Sequence, residues 1–154
     1  MGSLSTSILF GVAMILLLGL SIGLQVFRTR RSLLGKVVGL LTAVKYNEKL
    51  IENFSYHRGI GRMRDGSWEK NREKLRFLPR ELDGEITKVF GMVAEINEKI
   101  NAARRHGTDA YMASIEVDKL KVPLATCREQ LQTWIYDNMN NPEYLPKRRR
   151  LFKF

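Results

Sequence analysis

The carboxyl terminus carries the most specific candidate chemistry of this chain, which is binding to anionic surfaces. The last eight residues read KRRRLFKF, and their cations are Lys147, Arg148, Arg149, Arg150 and Lys153. Each cation beside an anionic leaflet contributes about 1 kcal/mol, and aromatic rings insert at the lipid interface. The same composition suits the phosphates and bases of nucleic acids. We therefore predict contact with a membrane surface, with nucleic-acid binding and a merely solvated terminus as alternatives.

A second group of cations lies in a glycine-containing segment near the middle of the chain. Its arginines are Arg58, Arg62 and Arg64. Guanidinium groups suit phosphates and lipid headgroups. The local sequence GIGRMR is not the dinucleotide-binding motif, because Arg64 replaces the third glycine and no apolar strand precedes it. We predict a mobile solvated loop here, with an anion-binding loop as the alternative.

Residues that could form a catalytic or metal site are scarce. The chain has two histidines, His57 and His106, and one cysteine, Cys127. Cys127 falls on an apolar helical stripe, where cysteine usually serves packing. The carboxylates alternate with lysines and arginines at helical spacing, which is typical of a solvated face. We therefore predict a non-enzymatic protein with no cofactor and no metal site, and an enzyme with an unrecognised site is the alternative.

The elements that must position these cations begin with an uncharged amino-terminal stretch. Residues 7–27 contain no charged side chain. As a helix this stretch reaches about 31 Å, which matches a hydrocarbon layer of about 30 Å. It lacks the basic leader and the small-residue cleavage site of a signal peptide. We predict one uncleaved transmembrane helix, and a removed signal peptide is the alternative.

The cations that follow this stretch indicate its orientation. Arg28, Arg30 and Arg31 come directly after it, whereas residues 1–6 are uncharged. Basic residues that flank a membrane helix favour the cytoplasmic side. We therefore expect a short extracytoplasmic amino terminus at 1–6, and a cytoplasmic carboxyl-terminal domain. A net charge of +10 agrees with contacts to the anionic inner leaflet.

Apolar residues at alternating steps of three and four predict three helices beyond the membrane segment. The three stripes are Leu33, Val37, Leu40, Val44, Asn47, Ile51 and Phe54; Leu82, Ile86, Val89, Val93, Ile96, Ile100 and Ala103; and Leu120, Leu124, Cys127, Leu131 and Trp134. The fold class that they predict is all-α, with a cytoplasmic antiparallel helical hairpin in a domain resembling a three-helix bundle. The expected segments are a juxtamembrane or stalk helix at 28–54, a basic loop with room for a short helix at 55–78, the hairpin at 79–139 and a basic tail at 140–154. Pro123 predicts a kink or a division of the third helix.

Three residues are candidates for helix–helix contact. Gly19 and Gly23 form a small-xxx-small pair that would let two membrane helices approach closely, which would give a homodimer. Asn47 is the one polar residue on its stripe. It could set register by pairing with a second Asn47, or it could bond a neighbouring side chain within one bundle.

Together these features indicate a membrane-anchored, non-enzymatic helical module that presents a bundle surface to an unidentified protein partner and makes basic contacts with the inner leaflet. The first alternative is a tethered binder of nucleic acid or a phosphorylated ligand through the loop and the tail. The second is an enzyme.

Overall fold

Helices form every regular element that the structure describes. The structure is a computed structural model that describes residues 32–54, 61–106 and 115–146, with the side chain of His106 outside that description. The elements are α1 (Leu33–Glu52), α2 (Gly66–Asn71), a 3₁₀ turn (Arg72–Leu75), α3 (Arg80–His106), a second 3₁₀ turn (Val117–Leu120) and α4 (Lys121–Asn138). The all-α prediction is confirmed for these residues.

The three apolar stripes form the core of the bundle. Every predicted member of the second and third stripes is buried, from Leu82 to Ala103 and from Leu120 to Trp134. In the first stripe the central members are buried, whereas Leu33 and Phe54 at its ends are half-buried. The 3.6-residue period of an α-helix puts these positions on one face, and burial of that face stabilises the bundle.

Local sequence explains where the helices begin. The hydroxyl of Ser32 accepts a hydrogen bond of 3.0 Å from the Gly35 N–H and thereby caps α1. Pro79 directly precedes α3, and its carbonyl accepts a bond of 2.9 Å from the Asp83 N–H. Pro123 lies in the first turn of α4, where its missing N–H would have no helical partner. The third predicted helix is therefore divided before Pro123, into a 3₁₀ turn and α4.

The relative directions of the three long helices follow from the contacts that α4 makes with the other two. The Leu34 N–H at the start of α1 donates to the Tyr144 carbonyl beyond the end of α4, at 3.1 Å. Farther along α1, Glu48 Oε1 lies 3.1 Å from Arg128 Nε in the first half of α4. Phe77, just before α3, lies 5.7 Å from Trp134 between ring centroids. Helix α4 is thus antiparallel to both α1 and α3.

The connection from α1 to α3 is part of the bundle. Its described residues include the buried side chains of Met63, Leu75 and Leu78. The ring of Trp68 stacks on that of Phe90 in α3, with 5.8 Å between their centroids. Residues 61–78 thus contribute apolar side chains that fill the space beside α1 and α3. The short helix lies at α2 and continues as a 3₁₀ turn.

Several predicted features lie outside the described residues. They are the transmembrane helix at 7–27 with Gly19 and Gly23, the cations at 28–31, Arg58, and the tail cations from Lys147 onward. Within the described ranges, no helix combines the length and the apolar character that a bilayer crossing requires.

Candidate functional site at the terminal end of the bundle

One end of the bundle holds both the first and the last described residues. The backbone bond from Leu34 to Tyr144 joins these two parts of the chain. Leu34 lies in the first turn of α1, where backbone N–H groups lack helical partners, so Tyr144 satisfies one of them. Ser32 and Pro146 are each two residues from this bond, a reach of at most about 7 Å. The chain therefore enters and leaves the bundle at the same end.

Three aromatic rings hold this arrangement. The Tyr144 ring lies 5.3 Å from Phe77 and 5.2 Å from Trp134 between centroids. Such distances are those of favourable ring pairs, each worth about 0.5–1.5 kcal/mol beyond area burial. The turn before Tyr144 is closed by bonds from its N–H to the Asn141 carbonyl at 3.2 Å and from the Asn141 N–H to the Asn138 carbonyl at 3.0 Å. These contacts hold the turn at Tyr144 against the bundle.

The predicted anion-binding arginines make contacts with their own chain. The Arg64 guanidinium carbon lies 3.8 Å above the centre of the Tyr46 ring. Arg62 Nη2 lies 3.3 Å from Asp65 Oδ2. Both side chains stay substantially exposed, so these contacts hold the arginines at the bundle surface.

Asn47 binds the backbone of this segment. Its Oδ1 accepts from the Arg64 N–H at 2.7 Å, and its Nδ2 donates to the Arg64 carbonyl at 2.9 Å. The side chain is fully buried. Of the two interpretations of Asn47, the structure shows contact within one bundle, with a backbone as the partner instead of a side chain. Both the Oδ1 and the Nδ2 of Asn47 therefore bind Arg64 within the bundle.

Asn97 on α3 makes the same kind of contact with Met63, the residue before Arg64. Its Oδ1 accepts from the Met63 N–H at 2.8 Å, and its Nδ2 donates to the Met63 carbonyl at 3.1 Å and to Asp65 Oδ2 at 3.0 Å. One amide side chain thus binds both the backbone donor and the backbone acceptor of one residue. Asn47 and Asn97, here called the asparagine clamp, hold the Met63–Arg64 backbone against two helices. The sequence analysis did not identify Asn97. The available signal was its position next to Ile96, a member of the second apolar stripe.

The thiol of Cys127 is protected within the core. Burial raises its pKa to about 12, and the charges of Glu85 and Glu48 act in the same direction. A protonated, buried thiol is a poor nucleophile at neutral pH. In the part of the chain that the structure describes, no three histidine, cysteine, aspartate or glutamate side chains are grouped to hold a metal ion.

Cys127 therefore serves as a reporter of the folded core. At pH 8 we expect an alkylating reagent to modify it about 1,000-fold more slowly in the folded chain than in the urea-unfolded chain. The pKa rises from 9.0 to about 12, and the thiolate fraction falls about tenfold per unit. Mass spectrometry of timed samples measures both rates. Equal rates in folded and unfolded chains would contradict the buried placement.

Comparisons with known proteins leave the interpretation to this geometry. No protein-family model matches the sequence, and no curated protein or solved structure matches it.

Proposed function

We propose that the chain is a single-pass membrane protein with its amino terminus outside and its helical bundle in the cytoplasm, where the bundle stands end-on at the inner leaflet. In this proposal the bundle is a non-enzymatic interaction module, and its outer surface binds a protein partner. The cations at 28–31 and 147–154 hold anionic lipid headgroups. The bond between Leu34 and Tyr144 is the observation that carries the proposal.

That bond supports the proposal because it brings together Leu34 and Tyr144, each of which is close in sequence to a basic segment. Arg31 directly precedes Ser32, and Lys147 directly follows Pro146. Eight cations therefore belong to segments that begin at this end: Arg28, Arg30, Arg31, Lys147, Arg148, Arg149, Arg150 and Lys153. A membrane helix at 7–27 would tether the same end to the bilayer, and the tether would raise the effective concentration of the tail at the lipid.

The exposed surface of the bundle supports the role of an interaction module. Tyr136 and Met139 near the end of α4 and Val122 near its start are exposed apolar side chains. Aromatic residues and methionine are common in the contact surfaces of protein partners. A homodimer through Gly19 and Gly23 remains part of the proposal, because it would place two such bundles side by side at the membrane.

The tail contact is tested with the full chain in liposomes. We attach a fluorophore at residue 154 and place quencher-labelled lipids in liposomes of phosphatidylcholine alone or with phosphatidylserine. With phosphatidylserine we expect strong quenching. Replacing Arg148, Arg149 and Arg150 together with alanine should weaken the tail contact about 100-fold, because three cations contribute about 3 kcal/mol.

A matched triple variant tests whether the quenching depends on the tail cations or only on the net charge of the chain. The three residues of this variant are exposed and lie toward the carboxyl-terminal ends of α1 and α3, away from Leu34 and Tyr144. They are Lys49, Lys99 and Arg105. Their replacement with alanine should leave the quenching unchanged. If full-length protein appears in the supernatant after alkaline extraction, the proposed membrane helix at 7–27 is wrong. If the tail does not bind phosphatidylserine but binds RNA in moderate salt, the nucleic-acid alternative replaces the lipid contact.

A further inference from the structure

A groove runs along the surface of α1 beside α2, with a volume of about 460 Å³. Six of its lining residues carry the argument: Lys36, Gly39, Thr42, Arg64, Ser67 and Asn71. Gly39 has no side chain, and a Cβ placed there would lie 3.8 Å from the Ser67 hydroxyl oxygen. Helix α2 therefore lies close to α1 and forms one wall of the groove.

The groove is cationic. Lys36 and Arg64 line it, and no acidic residue is among the described residues that do so. Lys74 belongs to the 3₁₀ turn that packs against α1. The pKa of Lys36 is lowered, first by burial and then by the charge of Lys74. Within the described ranges neither lysine forms a salt bridge, so two neighbouring cations lack a counter-ion there.

Polar groups beside these cations are available to an anion. The Ser67 hydroxyl makes no hydrogen bond to any residue that the structure describes. Asn71 Nδ2 donates to the Ser67 carbonyl at 2.8 Å, which holds the amide at the groove wall. Arg64 is kept in place by its contact with Tyr46 and by the Asn47 bonds to its backbone. The Arg64 guanidinium therefore keeps donor groups for a ligand.

We propose that this groove binds a phosphate monoester, with Lys36 and Lys74 holding its two negative charges and Arg64 and Ser67 donating to its oxygens. Charge-assisted bonds of this kind are stronger than bonds between neutral groups. The phosphate belongs either to a soluble molecule or to a lipid headgroup. Lys36 is two residues from Leu34, so the groove opens near the end that is proposed to face the leaflet. The site is separate from the tail contact and does not require it.

Chemical labelling of lysines in the full chain tests the groove. In micelles of a neutral detergent, an amine-acylating reagent is added with inorganic phosphate or with chloride at equal ionic strength. Lys36 and Lys74 should react about tenfold more slowly with phosphate, because a pKa rise of one unit lowers the fraction of unprotonated amine tenfold. Lys88, exposed on α3, provides the internal control. Mass spectrometry of the peptides gives the rate at each lysine.

Nanodiscs separate the two sources of phosphate. They contain phosphatidylcholine with phosphatidic acid, a phosphate monoester, or with phosphatidylglycerol, a phosphodiester. Slowing by inorganic phosphate alone identifies a soluble ligand, and slowing by phosphatidic acid in preference to phosphatidylglycerol identifies a lipid headgroup. The proposal is overturned if neither inorganic phosphate nor phosphatidic acid slows the labelling of Lys36. It is also overturned if phosphatidylglycerol acts as strongly as phosphatidic acid while inorganic phosphate has no effect, or if Lys88 slows as much as Lys36.

Two exposed lysines provide a matched pair of variants. Lys74→Gln should reduce the protection of Lys36 by phosphate, because the charge of Lys74 acts on Lys36. Lys70→Gln should leave the protection unchanged, because Lys70 on α2 is neither in the lining of the groove nor among the charges that act on Lys36. Equal protection in both variants would contradict the role of Lys74. If the tail fluorophore is not quenched but phosphate still protects Lys36, the proposed lipid contact of the tail is wrong. The phosphate groove is then still supported.

Discussion

Replacing Trp134 with alanine should lower the free energy of unfolding by about 3–5 kcal/mol, the range for large aromatic residues removed from a core. Trp134 is only 9% exposed, and its ring contacts those of Phe77 and Tyr144. The substitution leaves a cavity where α4 ends and α3 begins. Urea unfolding of the full chain in detergent, followed by circular dichroism, measures the loss.

A neighbouring residue on α4 provides the control. Tyr136 is 76% exposed, and Tyr136→Ala should change stability by less than about 0.5 kcal/mol. The loss of Trp134 should also release the Tyr144 turn, so the Leu34 amide should exchange its hydrogen faster in W134A than in Y136A. Equal stability of the two variants would contradict the described ring cluster.

Replacing Asn97 with alanine should lower the free energy of unfolding by about 2–4 kcal/mol. The substitution leaves the N–H and the carbonyl of Met63 without the amide that binds them, and each unsatisfied buried group costs about 1–3 kcal/mol. Asn101 is on the same helix and half-buried. We expect Asn101→Ala to stay within about 0.5 kcal/mol of the unmodified chain in the same urea experiment.

The second asparagine makes this prediction sharper. Asn47 binds the residue next to the one that Asn97 binds, so the two side chains hold one short backbone segment. Once Asn97→Ala has released that segment, Asn47→Ala should cost less than it does alone. The double variant should therefore be more stable than the sum of the single effects implies. Strict additivity would show that the two asparagines act on independent parts of the bundle.

Much of the helical framework follows from local spacing. The stripe from Leu82 to Ala103 is buried as its spacing predicted, and so is the stripe from Leu120 to Trp134. Helix periodicity depends on residues three and four positions apart, so the sequence shows it directly. The start of α3 after Pro79 is local in the same way, because proline cannot donate a backbone hydrogen bond.

The candidate site was less predictable. The cations of the tail and of the 28–31 segment are visible in the sequence, but nothing local shows that their segments begin at one end of the bundle. The connection at 55–78 carries glycines and charges, and its composition indicated a basic loop with room for a short helix. Its buried Met63 belongs to no helical repeat, and it is buried because α1 and α3 form the surface against which it lies.

The sequence by itself predicted the three long helices and the apolar face of each. Those properties arise from interactions within about one helical turn. Only the tertiary structure decided that Tyr144 meets Leu34 and that Asn97 binds Met63, 34 residues away. Contacts of this kind depend on how the three long helices pack together, because each joins groups from distant parts of the chain.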